Sequence, residues 1–580
     1  MGPSLYYYLL STNVSLNRYD AISRDTGYID VPVFASSSRR VFVSEGGIFF
    51  PGITRKKTPK RRQSFPTLAL ARATRAPGAT APRPGDMASS SSDAHARRDA
   101  QRAALLAAPS PASEASYYAK LSAAAAASGA GHVRVERVTH GKGLVAARAF
   151  AKGERVLVEP PLVGMQQESN RADARVCGSC FRYVGSVGAQ IARRLLAPAM
   201  RDAASAHGVD ATWLRSLLRG DAALPEVAGF DARGLPSIVA SPGDEDDEDA
   251  ASSEAREVYC SATCASRAWR AHERFLSVGR GTRAAGGVAA SRAFLEHAKD
   301  TNDIFILAAK VLLSVAVEAE EKRGQKEEEE LLDASKGKTE ASTAFAASEN
   351  DALAHLLAAW APFSHGHKRV WWDAVARPED VEAGEPERQF RESMREIATE
   401  SLELLRRVVP EAVLERYPGL FCVDVFASVV GMFELNNLEI AVASPVEDYF
   451  LAVDALDDDT DVTAKSAKQV TNPLLDALDT SYCAPCEGTG FFALQSCLNS
   501  DCDPNVAPVK EDADVDGRCV LVAKRDIREG EELTMCYVDE SMDVKERRAE
   551  LRDYGFECAC ERCAREAEGR AQQRRGGKTK

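Results

Sequence analysis

Three cysteines near the end of the chain, Cys558, Cys560 and Cys563, follow a C-x-C-x-x-C spacing that is one ligand short of a closed metal site. A structural zinc ion takes four thiolates or imidazoles in a tetrahedron. Cys502 is the natural fourth ligand. It sits in the turn-rich run Asn499-Ser500-Asp501-Cys502-Asp503-Pro504-Asn505, which needs fixing in space. Between these two groups runs Gly530-Glu531-Glu532-Leu533-Thr534-Met535-Cys536-Tyr537, and Tyr554-Gly555-Phe556 leads into the cysteine triplet. The chain holds 14 cysteines, and further pairs stand at Cys177/Cys180, Cys260/Cys264 and Cys483/Cys486. Close pairs in a long chain read as metal ligands in a reducing compartment rather than as a disulfide framework.

The order of these motifs resembles the SET-domain protein lysine methyltransferases, whose hallmark reads N-H-S-C-x-P-N, then G-E-E-L-x-x-x-Y, then a post-SET C-x-C. One departure stands out: Ser500-Asp501 replaces the family's usual His-Ser. The resemblance implies S-adenosylmethionine as cofactor and assigns roles by position. Tyr537 is the tyrosine whose hydroxyl orients the amine and the methyl sulfonium. Tyr554 and Phe556 wall the lysine channel and cover the adenosine. Asn499 hydrogen-bonds the amino-acid end of the cofactor, and the backbone near Ser500 meets the adenine. Asn505 braces the crossed loop that brings Asn499 to Tyr537. Cys502, Cys558, Cys560 and Cys563 hold a structural zinc that pins the post-SET over the cofactor. Apparent zinc affinities of roughly 10–16 kcal/mol in small sites suffice to order such a segment.

Near the start of the similar region stands His140-Gly141-Lys142-Gly143-Leu144. Alone it reads as a glycine hairpin turn. In SET proteins the first hairpin carries this G-x-G-L, so Gly141, Lys142 and Gly143 are expected against the cofactor. Cys177-Gly178-Ser179-Cys180 and Tyr259-Cys260-Ser261-Ala262-Thr263-Cys264 resemble one ligand set of the MYND finger that interrupts the SET domain in the SMYD family. The likeness implies a second structural zinc on Cys177, Cys180, Cys260 and Cys264; two unrelated pairs is the alternative. His272 is expected to pack or face solvent rather than ligate, and Cys483/Cys486 to remain reduced thiols.

The fold class expected is α+β: a SET β-fold split by a MYND-like zinc insertion and a helical segment, and closed by a zinc-binding post-SET. Residues 1–130 are basic, Pro- and Ala-rich, and are expected to be disordered or targeting and dispensable for folding. Within them, residues 55–62 (RKKTPKRR) suit a nuclear-localisation signal, a transit peptide or a solvated tail, and Met87 is a second candidate start. The remaining divisions are 131–170 for the first part of SET, 171–280 for the MYND-like module with its acidic loop at 244–249, and 281–415 for the helical insertion. The SET core follows at 416–540, the post-SET at 541–565 and a basic tail at 566–580. Alternation at Val133/Val135 and patterns at 155–159, 520–523 and 532–535 predict strands. Residues 304–317 predict a buried helix, Met394, Ile397, Leu404, Leu405 and Val408 fall on one face of another, and Trp371-Trp372 reads as core. Residues 454–471 read as a polar insertion, and Asn436-Asn437 as flanking the clefts. The short stretch after Cys563 points to the shorter SMYD-like and plant trithorax-related forms.

Of 580 residues, 45% are hydrophobic and 27% charged, ordinary for a soluble globular protein, and the net charge of −13 argues against a general nucleic-acid coat. No apolar run is long enough to span a bilayer. The partners expected are a protein substrate, a histone tail or another lysine-bearing protein, and proteins bound through the MYND-like module. Neither sequence-specific nucleic acid nor membrane is expected. The nucleus is the expected location, with cytoplasm and plastid as alternatives.

Methyl transfer to lysine requires a neutral amine, and deprotonating a lysine of pKa ~10.4 at neutral pH costs about 4–5 kcal/mol. A narrow dry channel lowers that cost and aims the nitrogen. No covalent enzyme intermediate is needed, consistent with a sequence lacking a Ser-His-Asp signature. A catalytically silent scaffold is the competing reading, and Ser500-Asp501 is the feature that separates the two. A carboxylate beside a thiolate zinc ligand is unfavourable unless solvated or paired. The double change Ser500→His with Asp501→Ser is therefore expected to tighten S-adenosylmethionine binding in calorimetric titration. Equal affinities would make the departure neutral.

Overall fold

The structure is a computed structural model and describes residues 84–242, 256–335, 344–375, 387–457, 461–511 and 513–576. The basic run at 55–62 and the acidic loop at 244–249 lie outside the described residues. Among the described residues, ten strands make three small sheets. They are β1 (Val133–Val138), β2 (Gly141–Ala146), β3 (Arg155–Glu159), β4 (Val163–Gln166) and β5 (Leu438–Val442), then β6 (Cys486–Phe491), β7 (Asn499–Ser500), β8 (Val506–Pro508), β9 (Cys519–Ala523) and β10 (Glu532–Met535). The sheet orders are β1-β2-β10-β7, β3-β9-β8 and β4-β6-β5.

Strands from the two ends of the chain thus complete one another. β10 pairs antiparallel with β2 through Glu532↔Val145 and Leu533↔Leu144, and parallel with β7 through Thr534↔Asn499 and Met535↔Ser500. β4 ends some 270 residues before β5, which with β6 completes its sheet. The strand patterns expected at 155–159, 520–523 and 532–535 correspond to β3, β9 and β10. The glycine run differs from the simple turn reading. Gly141-Lys142-Gly143 begins strand β2 itself, and Gly141 takes φ +107° where the chain leaves the turn, a region that favours glycine.

Between β4 and β5 lies a helical layer. Its spine, Ile304–Ser335, is apolar on every side over its first turns, so it is buried all round. Lys310 on this helix is buried and donates to the Gly164 carbonyl of β4 at 3.2 Å, which ties the layer to the sheet. Helix Glu387–Val408 buries Met394, Leu405 and Val408, with Ile397 and Leu404 at the margin of the same face. Trp371 is fully buried, edge-on to Phe305 with ring centroids 5.2 Å apart, as the core reading requires. Residues 454–471 are more than a polar insertion. Helix Val462–Leu478 buries Ala464, Ala467, Thr471 and Leu474, partly against helix Pro445–Asp454.

The largest departure from the sequence expectation is at the N-terminus. Residues 84–130, expected to be unfolded, form helices Pro84–Leu106 and Pro111–Ala127. The second helix has a clear start: the Ser110 side chain accepts from the Ser113 amide, and proline occupies the first turn. Low hydrophobic periodicity hid both helices, because each buries only isolated side chains. Leu105 is fully buried in the helical core, and Trp360 donates its indole N–H to the Leu105 carbonyl at 2.9 Å. Gln101 bonds both the Arg416 carbonyl and the Gly419 amide, at 2.8 and 3.0 Å. Tyr118 is buried among the side chains of the strands. Truncation to Gly131 is therefore expected to lower the melting temperature sharply, and Leu105→Ala alone to cost about 2–5 kcal/mol in denaturant unfolding. An unchanged midpoint for Leu105→Ala would show that the first helix does not contribute to the core.

Candidate active site and metal centres

The site is assembled on β10. Asn505, from the turn after β7, fastens this strand three ways: its Nδ2 donates to the Glu532 carbonyl at 2.8 Å and to Glu531 Oε1 at 3.2 Å, and its Oδ1 accepts from the Thr534 amide at 2.8 Å. A buried side-chain amide used as both donor and acceptor stitches the two segments without leaving orphan groups. Asn499 then donates to the Lys142 carbonyl at 3.1 Å and to Glu532 Oε1 at 2.8 Å. A Cβ at Gly143 would stand 2.6 Å from Val138 Cγ2 and 3.1 Å from Glu532 Oε1, so any larger residue would have to displace these side chains. The structure therefore brings Gly141, Lys142, Gly143 and Asn499 together at one junction.

Beyond β10 the chain turns so that Tyr537 donates its hydroxyl to the Leu498 carbonyl, one residue before Asn499. Burial, then the neighbouring Tyr554 and Cys497, hold this phenol well above its ordinary pKa, so it stays neutral at physiological pH. The Tyr554 ring lies 5.1 Å from that of Tyr537, and its hydroxyl is pushed up to about 12, chiefly by burial. Phe556 meets Tyr537 edge-on at 6.5 Å and is 37% exposed, so it forms the outer lip of this aromatic corner rather than an interior wall.

Ser500 and Asp501 sit quietly. The Ser500 hydroxyl is buried with no partner among the described residues. The Asp501 carboxylate accepts the Asp503 amide at 2.8 Å, and the Asp501 amide donates to the Met535 carbonyl. The carboxylate expected to be awkward beside Cys502 instead closes an Asx turn that shapes the loop.

Several residues of the site were not legible in the motifs. The Lys142 ammonium donates to the Tyr118 hydroxyl at 2.7 Å and to the His365 carbonyl at 2.6 Å, and sits 4.7 Å from the Tyr118 ring centroid. Nearby, Lys368 donates to the Phe363 and Ser364 carbonyls, and burial together with the Lys142 charge brings its pKa down to about 7. The Arg369 guanidinium packs on Gly555, where a Cβ would come within 2.7 Å of it. Asn436 does more than flank the cleft: it donates to the His367 carbonyl at 2.7 Å and so anchors this same loop. The charged run His365-Gly366-His367-Lys368-Arg369 between two apolar helices was the available signal.

Two groups of four cysteines have their sulfurs within 4.8 Å of one another: Cys177, Cys180, Cys260 and Cys264, and Cys502, Cys558, Cys560 and Cys563. Individual separations are 3.5 Å for Cys180–Cys260, 3.7 Å for Cys260–Cys264, 3.8 Å for Cys502–Cys558 and 3.5 Å for Cys502–Cys563. A tetrahedron with Zn–S bonds of about 2.3 Å has edges of about 3.8 Å, so both sets fit a closed zinc site. Cations stand where they would offset the excess thiolate charge of a metal-bound set. Arg547, fully buried, reaches Cys563 Sγ at 3.7 Å, and Arg267 reaches Cys264 Sγ at 3.8 Å. His272 belongs to neither set; burial leads the effects that drive its imidazole pKa down to about 3, so it is neutral and packed. Cys483 and Cys486 join no metal-competent cluster among the described residues.

Comparison with known proteins agrees with this geometry. A SET domain family model matches residues 141–538. The chain is 36% identical over 452 residues, 73% of its length, to the histone-lysine N-methyltransferase ATXR2 of Arabidopsis thaliana, and the match spans 88% of that relative. It is 31% identical to mouse protein-lysine N-trimethyltransferase SMYD5 over 182 residues, 29% of this chain and 41% of that one. It is 48% identical to human histone-lysine N-methyltransferase SMYD3 over 77 residues, 13% and 17% of the two chains. The chain belongs to the SET-domain family.

Metal-replete protein is expected to carry about two zinc equivalents by elemental analysis. Cys560→Ser should lower this towards one, with the first cluster retained. Three equivalents in the parent protein would mean that His272 or the Cys483 pair ligates after all.

Proposed function

We propose that this chain is an S-adenosylmethionine-dependent protein lysine methyltransferase that acts on histone lysines. The observation that carries the reading is the convergence on β10 of the Gly141-Lys142-Gly143 strand, Asn499 and a neutral, half-buried Tyr537 fronted by Tyr554. When bound, S-adenosylmethionine supplies a methyl group made electrophilic by its sulfonium. Gly141, Lys142, Gly143, Asn499 and Ser500 offer the surface to hold it, and Lys142 brings a positive charge suited to a carboxylate. Tyr554 and Phe556 exclude water from the approach of the lysine side chain, which favours its neutral form. Tyr537 and the Leu498 carbonyl beside it orient the amine for in-line attack. The reaction needs no nucleophile from the protein.

Both cysteine tetrads are assigned to structural zinc. The second holds the Tyr554–Phe556 segment in place, since Cys502 belongs to the loop that carries Asn499. The first tetrad is assigned to a MYND-like module that recruits protein partners. With a histone substrate, the nucleus is the working location.

Labelled-methyl transfer from S-adenosylmethionine to core histones tests the reading. Tyr537→Phe deletes one hydroxyl and keeps the ring, so turnover is expected to fall by about 10²–10³ with zinc content and melting temperature unchanged. Parent-like turnover in this variant would move the catalytic tyrosine elsewhere. Absence of transfer by the parent protein, with cofactor bound, would favour a silent scaffold.

A further inference from the structure

Strand β3 ends on Glu159, and the two prolines that follow, Pro160 and Pro161, restrict the backbone there. The Glu159 side chain turns into the core and is 9% exposed. Its two oxygens accept from two successive amides far along the chain: Leu494 N–H on Oε1 and Gln495 N–H on Oε2, each at 2.9 Å. No cation of a described residue pairs with this carboxylate. The two amides open the short 3-10 turn Gln495–Cys497. Within it the Leu498 amide donates to the Gln495 carbonyl at 2.9 Å. The Leu498 carbonyl, at the far end, accepts the Tyr537 hydroxyl. One unbroken path of hydrogen bonds thus runs from Glu159 through Gln495 and Leu498 to Tyr537. A second tie runs beside it: the buried Gln495 donates its Nε2 to Met535 Sδ of β10 at 3.3 Å.

We propose that Glu159 is a positioning residue for methyl transfer: its carboxylate orders and polarises the turn 495–498, and through the Leu498 carbonyl it fixes the hydroxyl of Tyr537. The inference rests on the lysine methyltransferase reading and adds to it a residue that acts at a distance from the substrate. A negative charge at the N–H end of the turn draws the peptide dipoles into line. Linked hydrogen bonds in a low-dielectric interior then strengthen one another, so the Leu498 carbonyl at the other end becomes the better acceptor. An acceptor of fixed direction holds the Tyr537 phenol in one orientation, and small misplacements of an orienting group are costly to rate. A carboxylate suits this task because it offers one acceptor to each of two adjacent amides. The isosteric amide would set its NH2 against one of those N–H donors. Burial raises the Glu159 carboxyl to about 7, while the amides it accepts draw it back, so above that pH the charge is present. A carboxylate that merely capped the turn would support the fold without acting on Tyr537, and the test separates the two roles.

Steady-state methylation of core histones by the full chain, at a pH above that value, tests it with Glu159→Gln, alone and combined with Tyr537→Phe. Glu159→Gln is expected to lower kcat about tenfold, the scale of one lost charge-assisted hydrogen bond. KM for histone should not change, because Tyr554 and Phe556 are untouched. In the Tyr537→Phe background the same change should lower kcat by less than about twofold, since the group through which it acts is gone. Leu157→Val, fully buried on the same strand, controls for lost stability and should leave kcat unchanged. A loss that persists in full without the Tyr537 hydroxyl, a loss matched by Leu157→Val, or an unchanged kcat overturns the proposal. Should Glu159→Gln fail to fold, Glu159→Asp takes its place: it keeps the charge but falls one methylene short, and the same outcomes apply. If the parent protein does not methylate histones, the enzymatic reading fails on its own account, and hydrogen exchange decides whether the carboxylate orders the turn. The Gln495 and Leu498 amides should then exchange about tenfold faster in the Glu159 variant than in the parent. Unchanged exchange at these two amides overturns it.

Discussion

The architecture depends on the three hydrogen bonds by which the Asn505 side chain holds β10 beside the 499–505 turn. These bonds put two segments in parallel register, Thr534 opposite Asn499 and Met535 opposite Ser500. From that register follow the reach of the Asn499 amide to the Lys142 carbonyl and the bond between Tyr537 and Leu498. The register also places Cys502 where the C-terminal cysteines can meet it. A short parallel pair has little ladder of its own, and its bonds are slanted and weaker than antiparallel ones. The amide side chain supplies what the ladder lacks, and losing it would leave buried backbone groups unsatisfied at a cost of about 1–3 kcal/mol each.

The metal-competent clusters stand at two points that have no deep apolar core, where a bound zinc would fasten the chain. The second cluster packs with Val538, Val544 and Leu551, a small group of side chains. Its dependence on thiolates is eased by arginines that are themselves held: Arg547 by Glu566 at 2.7 Å, and Arg562 by the carbonyls of Cys502 and Glu540. Hydrogen bonds and charge would thus orient the cysteines from outside a zinc tetrahedron.

Much of the site was legible because its residues act through local spacing. Asn499, Tyr537, Tyr554 and the eight cysteines sit in motifs whose types and intervals survive any change in the rest of the chain, and the strand patterns of β3, β9 and β10 alternate cleanly. What sequence could not show are contacts between distant segments. Tyr118 meets Lys142 because a helix of low amphipathicity crosses the first hairpin, and no periodicity announces a helix that buries one tyrosine at a time. Glu434 looks like one acid at the end of an apolar helix until Trp371, 63 residues earlier, is found donating to it. The sequence poses the Asp501 carboxylate beside Cys502 as an electrostatic question, and the structure adds that Asp501 serves loop geometry. That difference turns on one backbone amide, a detail composition does not carry.

The pairing of β2 with β10 has a bearing on the order in which the molecule is built. Val145 leaves the ribosome some 390 residues before its partner Glu532. During that interval the helical layer can close around helix Ile304–Ser335 using contacts made largely within itself. The first hairpin must meanwhile stand with an open edge, and exposed edges invite pairing with foreign strands. Helix Pro111–Ala127 packs on β1, and Lys142 is tethered to Tyr118, both available early in synthesis. The hairpin thus has a packing partner long before the strand that completes its open edge is made.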